Sequence, residues 1–207
     1  MKEPITTTVD LLRHAECEGG PIFRGSTDVA LAPAGWERLR RVAAGQLAWQ
    51  YIVTSPLRRC SAFAEELAGQ RQLPLQVDPR LREMSFGRWE GRPVAEVWDD
   101  DFDAASAWMN DPESHAPPDG EPLDAVRERA LAAFNDALVA ARGQHVLLVA
   151  HGGLNRILLG ALLSMPGAAL HRLETPYACL TRLCVTHAAD GSDGDMLRLV
   201  AHNMHAG

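Results

Sequence analysis

Apolar residues along the chain fall into short blocks whose spacing changes from block to block, and the changes predict an alternation of strands and helices. Residues 6–12 are β-branched and apolar and stop abruptly at Arg13-His14-Ala15-Glu16, as a buried strand ending in polar groups would. From Ala32-Pro33-Ala34-Gly35 onward, Leu39, Val42, Ala43 and Leu47 recur at helical spacing, with arginines on the opposite face. Tyr51–Thr54 reads as a second strand. Ser55-Pro56 then supplies an N-cap with proline behind it for a helix running to about Leu67.

Residues 72–77 predict a short third strand, and Leu81–Gly91 an irregular aromatic loop. Glu121–Arg142 carries Leu123, Val126, Ala130, Phe134 and Leu138 on one helical stripe. His145–Ala150 is the most continuous apolar run, the pattern of a strand covered on both faces. It ends at His151-Gly152-Gly153. A helix over 154–163, a turn at Met165-Pro166-Gly167, and strands over 177–186 and 196–201 joined by a hairpin connection at 190–194 complete the series. The segment from about 92 to 120 differs, being acidic and carrying Trp98, Phe102 and Trp108. It folds either as a helical lid or as a solvated hairpin with a few core anchors. The order predicts one α/β domain over residues 1–207, a three-layer α/β/α sandwich on a mostly parallel sheet.

Length agrees with that: 207 residues, 46% hydrophobic and 23% charged, suffice for one core without disulfide or metal. No run reaches the ~18 apolar residues of a membrane span, and no secretory h-region follows the start, so a cytoplasmic protein is expected. Cys17, Cys60, Cys179 and Cys184 form no CxxC pair and read as reduced thiols. A net charge of −7 argues against sequence-independent nucleic-acid binding, which needs a dominant basic face. His202-x-x-His205 has ligand-like spacing but no third ligand nearby, so no metal and no cofactor are expected.

Ligands of parallel sheets bind off the carboxyl ends of the strands. His14 and His151 each follow such an end, and Arg59 falls in the first turn after another. His151-Gly152-Gly153 leads into a helix N-terminus whose N–H groups favour an anion, the two glycines letting a ligand approach the backbone closely, and a guanidinium fork at Arg59 would meet the same anion. The implied ligand is a phosphate.

These residues carry a family resemblance. Leu12-Arg13-His14-Ala15-Glu16 resembles the RHG motif of the histidine phosphatase superfamily, the phosphoglycerate mutase-like proteins, with alanine at the glycine position. Residues 25–35 are similar to the family's G-x-x-D-x-x-L-[TS]-x-x-G segment, and residues 54–60 to S-S-P-L-x-R-A. Residues 82–91 resemble L-x-E-x-x-F-G-x-W-E-G, and residues 149–153 V-[ST]-H-G-G. The resemblance implies the phosphoglycerate mutase-like fold and a phosphohistidine at His14. It also implies that Arg13, Arg59 and His151 hold the phosphoryl oxygens and that Glu83 is the general acid. Two departures stand out. Gly20 replaces a common asparagine, leaving a phosphate contact missing or supplied by Arg24, and Ala15 adds a methyl where backbone approach is tight.

The length favours a phosphatase over a mutase. Residues 107–112, 117–121 and 164–166, with Tyr177, resemble α-ribazole phosphatases, which implies α-ribazole 5′-phosphate or a similar small phosphate ester as substrate, handled by a monomer or homodimer. The aromatics of the insertion would stack on a base, and its acids would discourage bisphosphates. A broad phosphatase, a mutase-like enzyme, and a non-catalytic phosphate-binding module remain as alternatives.

Overall fold

The computed structural model describes residues 4–45, 48–188 and 195–204. The described chain builds one sheet from β1 (Thr6–Arg13), β2 (Tyr51–Thr54), β3 (Leu75–Val77), β4 (His145–Ala150), β5 (Leu180–Thr186) and β6 (Met196–Met204), in the order β3-β2-β4-β1-β5-β6. The first four strands are mutually parallel, whereas β5 and β6 add on antiparallel. The sheet is therefore mixed, with its parallel part at the site.

Among the described residues six α-helices surround it: α1 (Pro33–Ala44), α2 (Arg58–Arg71), α3 (Val94–Asp100), α4 (Phe102–Asn110), α5 (Leu123–Ala140) and α6 (Gly152–Leu162). The period-2 alternation of strands divides the core in two. Val146, Leu148 and Ala150 of β4 and Val9 and Leu11 of β1 pack with Val126, Phe134 and Leu158 from α5 and α6. Leu147 and Val149 face the other way with Leu12 and Ile52, against Leu39, Phe63 and Leu67 of α1 and α2. Two covered faces explain why β4 is apolar at every position.

Several boundaries move for identifiable reasons. Ser55 still donates its N–H to Val149 O in the sheet ladder, so α2 starts two residues later with Leu57 as N-cap. At its other end α2 runs on to Arg71, where Gln72 closes it in the left-handed region and delays β3 to Leu75. The loop over 81–91 contains a 3-10 turn at Gly87–Trp89. β5 begins at Leu180 because Ala178, with φ 58°, turns the chain just before it, and β6 continues to Met204. Leu47, residues 190–194 and His205 lie outside the described residues.

Candidate active site

β1 and β4 are neighbours, and their register sets Arg13 beside Ala150, so the residues that follow both strands emerge together. His14 donates its backbone N–H to Ala150 O at 3.0 Å, and the His14 and His151 ring centroids lie 5.3 Å apart. β2 pairs with β4 on its other side and delivers Ser55, and through α2 Arg59, to the same edge.

Each histidine has its tautomer set by a partner with only one possible role. His14 Nδ1 lies 2.8 Å from Ala15 O; a carbonyl only accepts, so Nδ1 carries the proton and Nε2 keeps its lone pair. His151 Nδ1 receives Arg59 Nε at 3.2 Å; a guanidinium only donates, so the proton is on Nε2 and goes to Ser55 Oγ at 2.7 Å. Burial, then the Arg59 and Arg13 guanidiniums, holds the His14 pKa well below the ordinary histidine value; burial and Arg59 do the same to His151. Both rings are neutral near pH 7. Among the described residues His14 Nε2 has no hydrogen-bond partner.

Four arginines surround this pair, and among the described residues none reaches a carboxylate within ion-pair distance. Arg59, fully buried, gives Nη1 to Thr27 O and Nη2 to Arg24 O and Gly25 O. Arg13 gives Nη1 to Thr175 O, stacks on Tyr177 with its guanidinium 4.3 Å from the ring centroid, and leaves a buried Nε unpartnered. Arg24 gives Nη2 to Glu18 O and Gly20 O and likewise leaves Nε unpartnered. A buried N–H without a partner is uncommon, and two on one cavity call for an anion. The fourth, Arg156, donates Nε to Leu173 O and Nη2 to Thr175 Oγ1.

Glu83 enters from the loop after β3 and caps α6. Its Oε2 accepts from Gly153 N at 2.9 Å, and its Oε1 from Leu154 N at 2.8 Å and Met84 N at 3.0 Å. This cap, supplied from 70 residues away, draws the start of α6 back to Gly152. It also corrects one expectation: the N–H groups of Gly153 and Leu154 hold Glu83 and are not open to a phosphate. Gly152 stays beside the anion seat, where a Cβ would come within 2.9 Å of Arg13 Nε.

The loop bearing Arg24 is pinned by Glu90, whose carboxylate accepts from the N–H groups of Gly25, Ser26, Thr27 and Phe86 and from Thr27 Oγ1. A Cβ on Gly25 would fall 2.1 Å from Met84 O. Two of the sequence segments read separately above are thus interlocked.

A cavity of about 230 Å³ opens on His14, Arg13, Arg24 and Glu83, with an apolar wall that includes Phe23, Phe86, Trp108 and Leu170. Arg59 and His151 stand behind His14 and do not line it. The insertion reaches this wall through Trp108 alone among its three large aromatics. Trp108 packs on Phe23, Phe86 and Trp89, whereas Trp98 and Phe102 pair with each other at 6.1 Å and Phe102 is largely exposed. The acids also fail to form a rim. Asp101 accepts from Trp89 Nε1 and Asp100 pairs with Arg92, and Glu83 is the sole carboxylate on the cavity among the described residues. Sequence reading missed Thr175, whose carbonyl holds Arg13 and whose hydroxyl donates to Gly152 O. It treated Ser55 as a helix cap where the structure makes it the partner of His151. Among the described residues no three His, Cys, Asp or Glu side chains could share a metal ion, and no helix is long and apolar enough to cross a membrane.

Comparison with known proteins agrees with this geometry. A curated Escherichia coli protein named adenosylcobalamin/alpha-ribazole phosphatase is 28% identical over 173 residues, spanning 82% of this chain and 85% of that one. Among solved structures, one called mycobacterial hydrolase 2 superposes with a TM-score of 0.87 at 30% identity, covering 98% of this chain and 92% of the other. Mycobacterial glucosyl-3-phosphoglycerate phosphatase superposes with a TM-score of 0.84 at 29% identity, covering 96% and 99%. The family model for branch 1 of the histidine phosphatase superfamily matches residues 9–192, and the chain belongs to that superfamily of phosphatase enzymes.

Proposed function

We propose that the chain hydrolyses small phosphate monoesters through a phosphohistidine on His14. The observation that carries this reading is the state of that residue: a neutral ring whose Nδ1 proton is committed to Ala15 O, with Nε2 unpartnered on a cavity where two arginines keep buried N–H groups free. Nε2 attacks phosphorus in line, the P–O bond to the leaving group breaks, and a proton held by Glu83 passes to the departing oxygen. Oε2 is the oxygen for that task, because Oε1 already accepts two N–H bonds and Oε2 only one. Water then attacks the phosphohistidine, Glu83 takes the water's proton, and inorganic phosphate leaves.

Arg13, Arg24 and Gly152 meet the phosphoryl oxygens first, since they line the cavity. Arg59 and His151 act from behind, holding the neutral tautomer of one ring and adding positive potential at the other. Arg24 fills the place that Gly20 leaves empty. The leaving group lies along the Phe23, Phe86 and Trp108 wall, and α-ribazole 5′-phosphate, suggested by the name of the E. coli relative, is the first substrate to try.

The decisive experiment is trapping. Labelled p-nitrophenyl phosphate should leave acid-labile, alkali-stable label on the wild-type protein and none on His14→Ala, which should also lose turnover. Label retained by His14→Ala would remove the nucleophile assignment.

A further inference from the structure

The loop from Leu173 to Ala178 holds Arg13 and His14 in place. Thr175 O accepts from Arg13 Nη1, Tyr177 lies under the same guanidinium, and Ala178 gives its N–H to His14 O. Thr175 Oγ1 donates to Gly152 O and accepts from Arg156 Nη2, and Leu173 O accepts from Arg156 Nε. All of these partners line the cavity themselves, so none of them anchors the loop from outside. Among the described residues one side chain beyond the cavity hydrogen-bonds to it: His202 Nε2 lies 2.7 Å from Glu174 O, the carbonyl next to Thr175.

His202 reaches the loop through an irregularity in the sheet. β6 is an edge strand two places from β1, and it takes three steps, Ala201 to Met204, where β5 takes two, Arg182 to Leu180. The extra residue falls at His202–Asn203, where Asn203 turns into the left-handed region with φ 54°. Bulges of this kind re-aim a side chain. The ring's protonation pattern is set as well. A carbonyl only accepts, so Nε2 carries the proton, and Nδ1 accepts the hydroxyl of the buried Thr181 on β5 at 2.8 Å. Both nitrogens of the histidine that His202-x-x-His205 marked for its ligand-like spacing are thus committed within the chain, one to the sheet and one to the loop.

We propose that His202 is a positioning residue for the phosphatase reaction: by holding Glu174 O it fixes Thr175, and through Thr175 it keeps the unpartnered Nε of Arg13 aimed at the phosphoryl oxygens. The inference rests on the phosphomonoesterase reading above and adds to it a residue that touches neither substrate nor His14. A bound phosphate dianion pulls Arg13 toward itself, and a loop tied only to cavity residues would follow. The bond from β6 resists that pull, so the guanidinium stays in the geometry that transfer needs.

The test separates the N–H at position 202 from the ring that carries it. His202→Phe keeps a ring without the N–H, and His202→Gln keeps an N–H without the ring; His202→Leu takes the place of His202→Phe should the larger ring not fold. His202→Phe should weaken binding of inorganic phosphate, measured by calorimetry, and lower kcat/KM for p-nitrophenyl phosphate by about five- to tenfold, whereas His202→Gln should stay within about twofold of wild type. In an Arg13→Met background His202→Phe should cause no further loss, because its effect passes through Arg13. Wild-type behaviour of His202→Phe would overturn the proposal. So would a His202→Gln protein as impaired as His202→Phe, or a His202→Phe loss just as large in the Arg13→Met background, since either marks a residue that merely supports the fold. Absence of turnover and of protein-bound label in the wild type would instead remove the reading on which the proposal stands.

Discussion

Three residues apart on β1, Asp10 and Arg13 anchor two buried charge clusters with opposite designs. Asp10 is fully buried and fully paired: Arg182 grips both carboxylate oxygens at 2.8 Å, His145 Nε2 lies at 2.9 Å and Trp49 Nε1 donates at 2.8 Å. Burial pushes its pKa up, but Arg182, His145 and Trp49 outweigh it and hold the carboxyl below its ordinary value. Arg13, Arg24 and Arg156 have no carboxylate partner among the described residues, and two of them keep an orphaned N–H. A buried charge that serves the fold is completed by the chain itself, whereas one that serves a ligand is left for the ligand to complete. The contrast separates structural from functional charge without reference to any family.

The largest effects should fall on opposite observables. His14→Ala should lower turnover by about 10⁴-fold or more while leaving stability unchanged or higher. Asp10→Ala strands Arg182 beside a buried vacancy and should cost about 3–5 kcal/mol in denaturant unfolding, with the protein that remains folded still forming phosphohistidine. An Asp10→Ala protein as stable as wild type would erase the contrast.

How legible this was depends on whether each feature is local. His14 and His151 could be read because a strand end is a local event, and two strand ends on a parallel sheet converge by topology. Arg59 was placed by its helix, yet the saturation of its donors by Thr27, Arg24 and Gly25 carbonyls depends on a loop 32–35 residues earlier in the chain. The start of α6 was misread by two residues because its cap, Glu83, comes from another loop. The aromatics of the insertion were read by composition and not by phase. Trp98 and Phe102 are four residues apart and meet, whereas Trp108 lies six beyond Phe102 and projects from another face of α4. Arg156 and Thr175 carried no sequence signal, since each gains its meaning from the cavity.

Phosphate binding sharpens the comparison at a smaller scale. An open cluster should be stabilised by its missing anion and a closed one should not respond. Inorganic phosphate at a hundred times its Kd should raise the unfolding free energy of wild type by about 2.7 kcal/mol, seen as a rise in Tm. Arg13→Met should lose most of that increment, and Arg182→Met, though less stable overall, should keep it. Loss of the increment in Arg182→Met as well would mean that the two clusters are not independent.

The smallest effect separates the clusters by pH. Asp10 has a lowered folded pKa, so its contribution is present above its unfolded value near 3.8 and is lost only as the pH falls further. His14 and His151 have folded pKa values well below 6.5 and stay neutral in the fold. Below pH 6.5 the unfolded chain takes up protons that the folded chain refuses, so stability falls with pH, by at most about 1.4 kcal/mol per pH unit for each ring. The open cluster therefore weakens the fold as the pH drops below about 6.5, before the closed one begins to fail near 3.8. Replacing His14 by Ala removes one of the two titrations, and the stability of that variant should decline over this range with a shallower slope than wild type. Urea midpoints measured across the interval supply the check; parallel slopes for the two proteins would mean that His14 is not held neutral. In that case the acid limb of kcat/KM would lie near the ordinary histidine value, and not well below it.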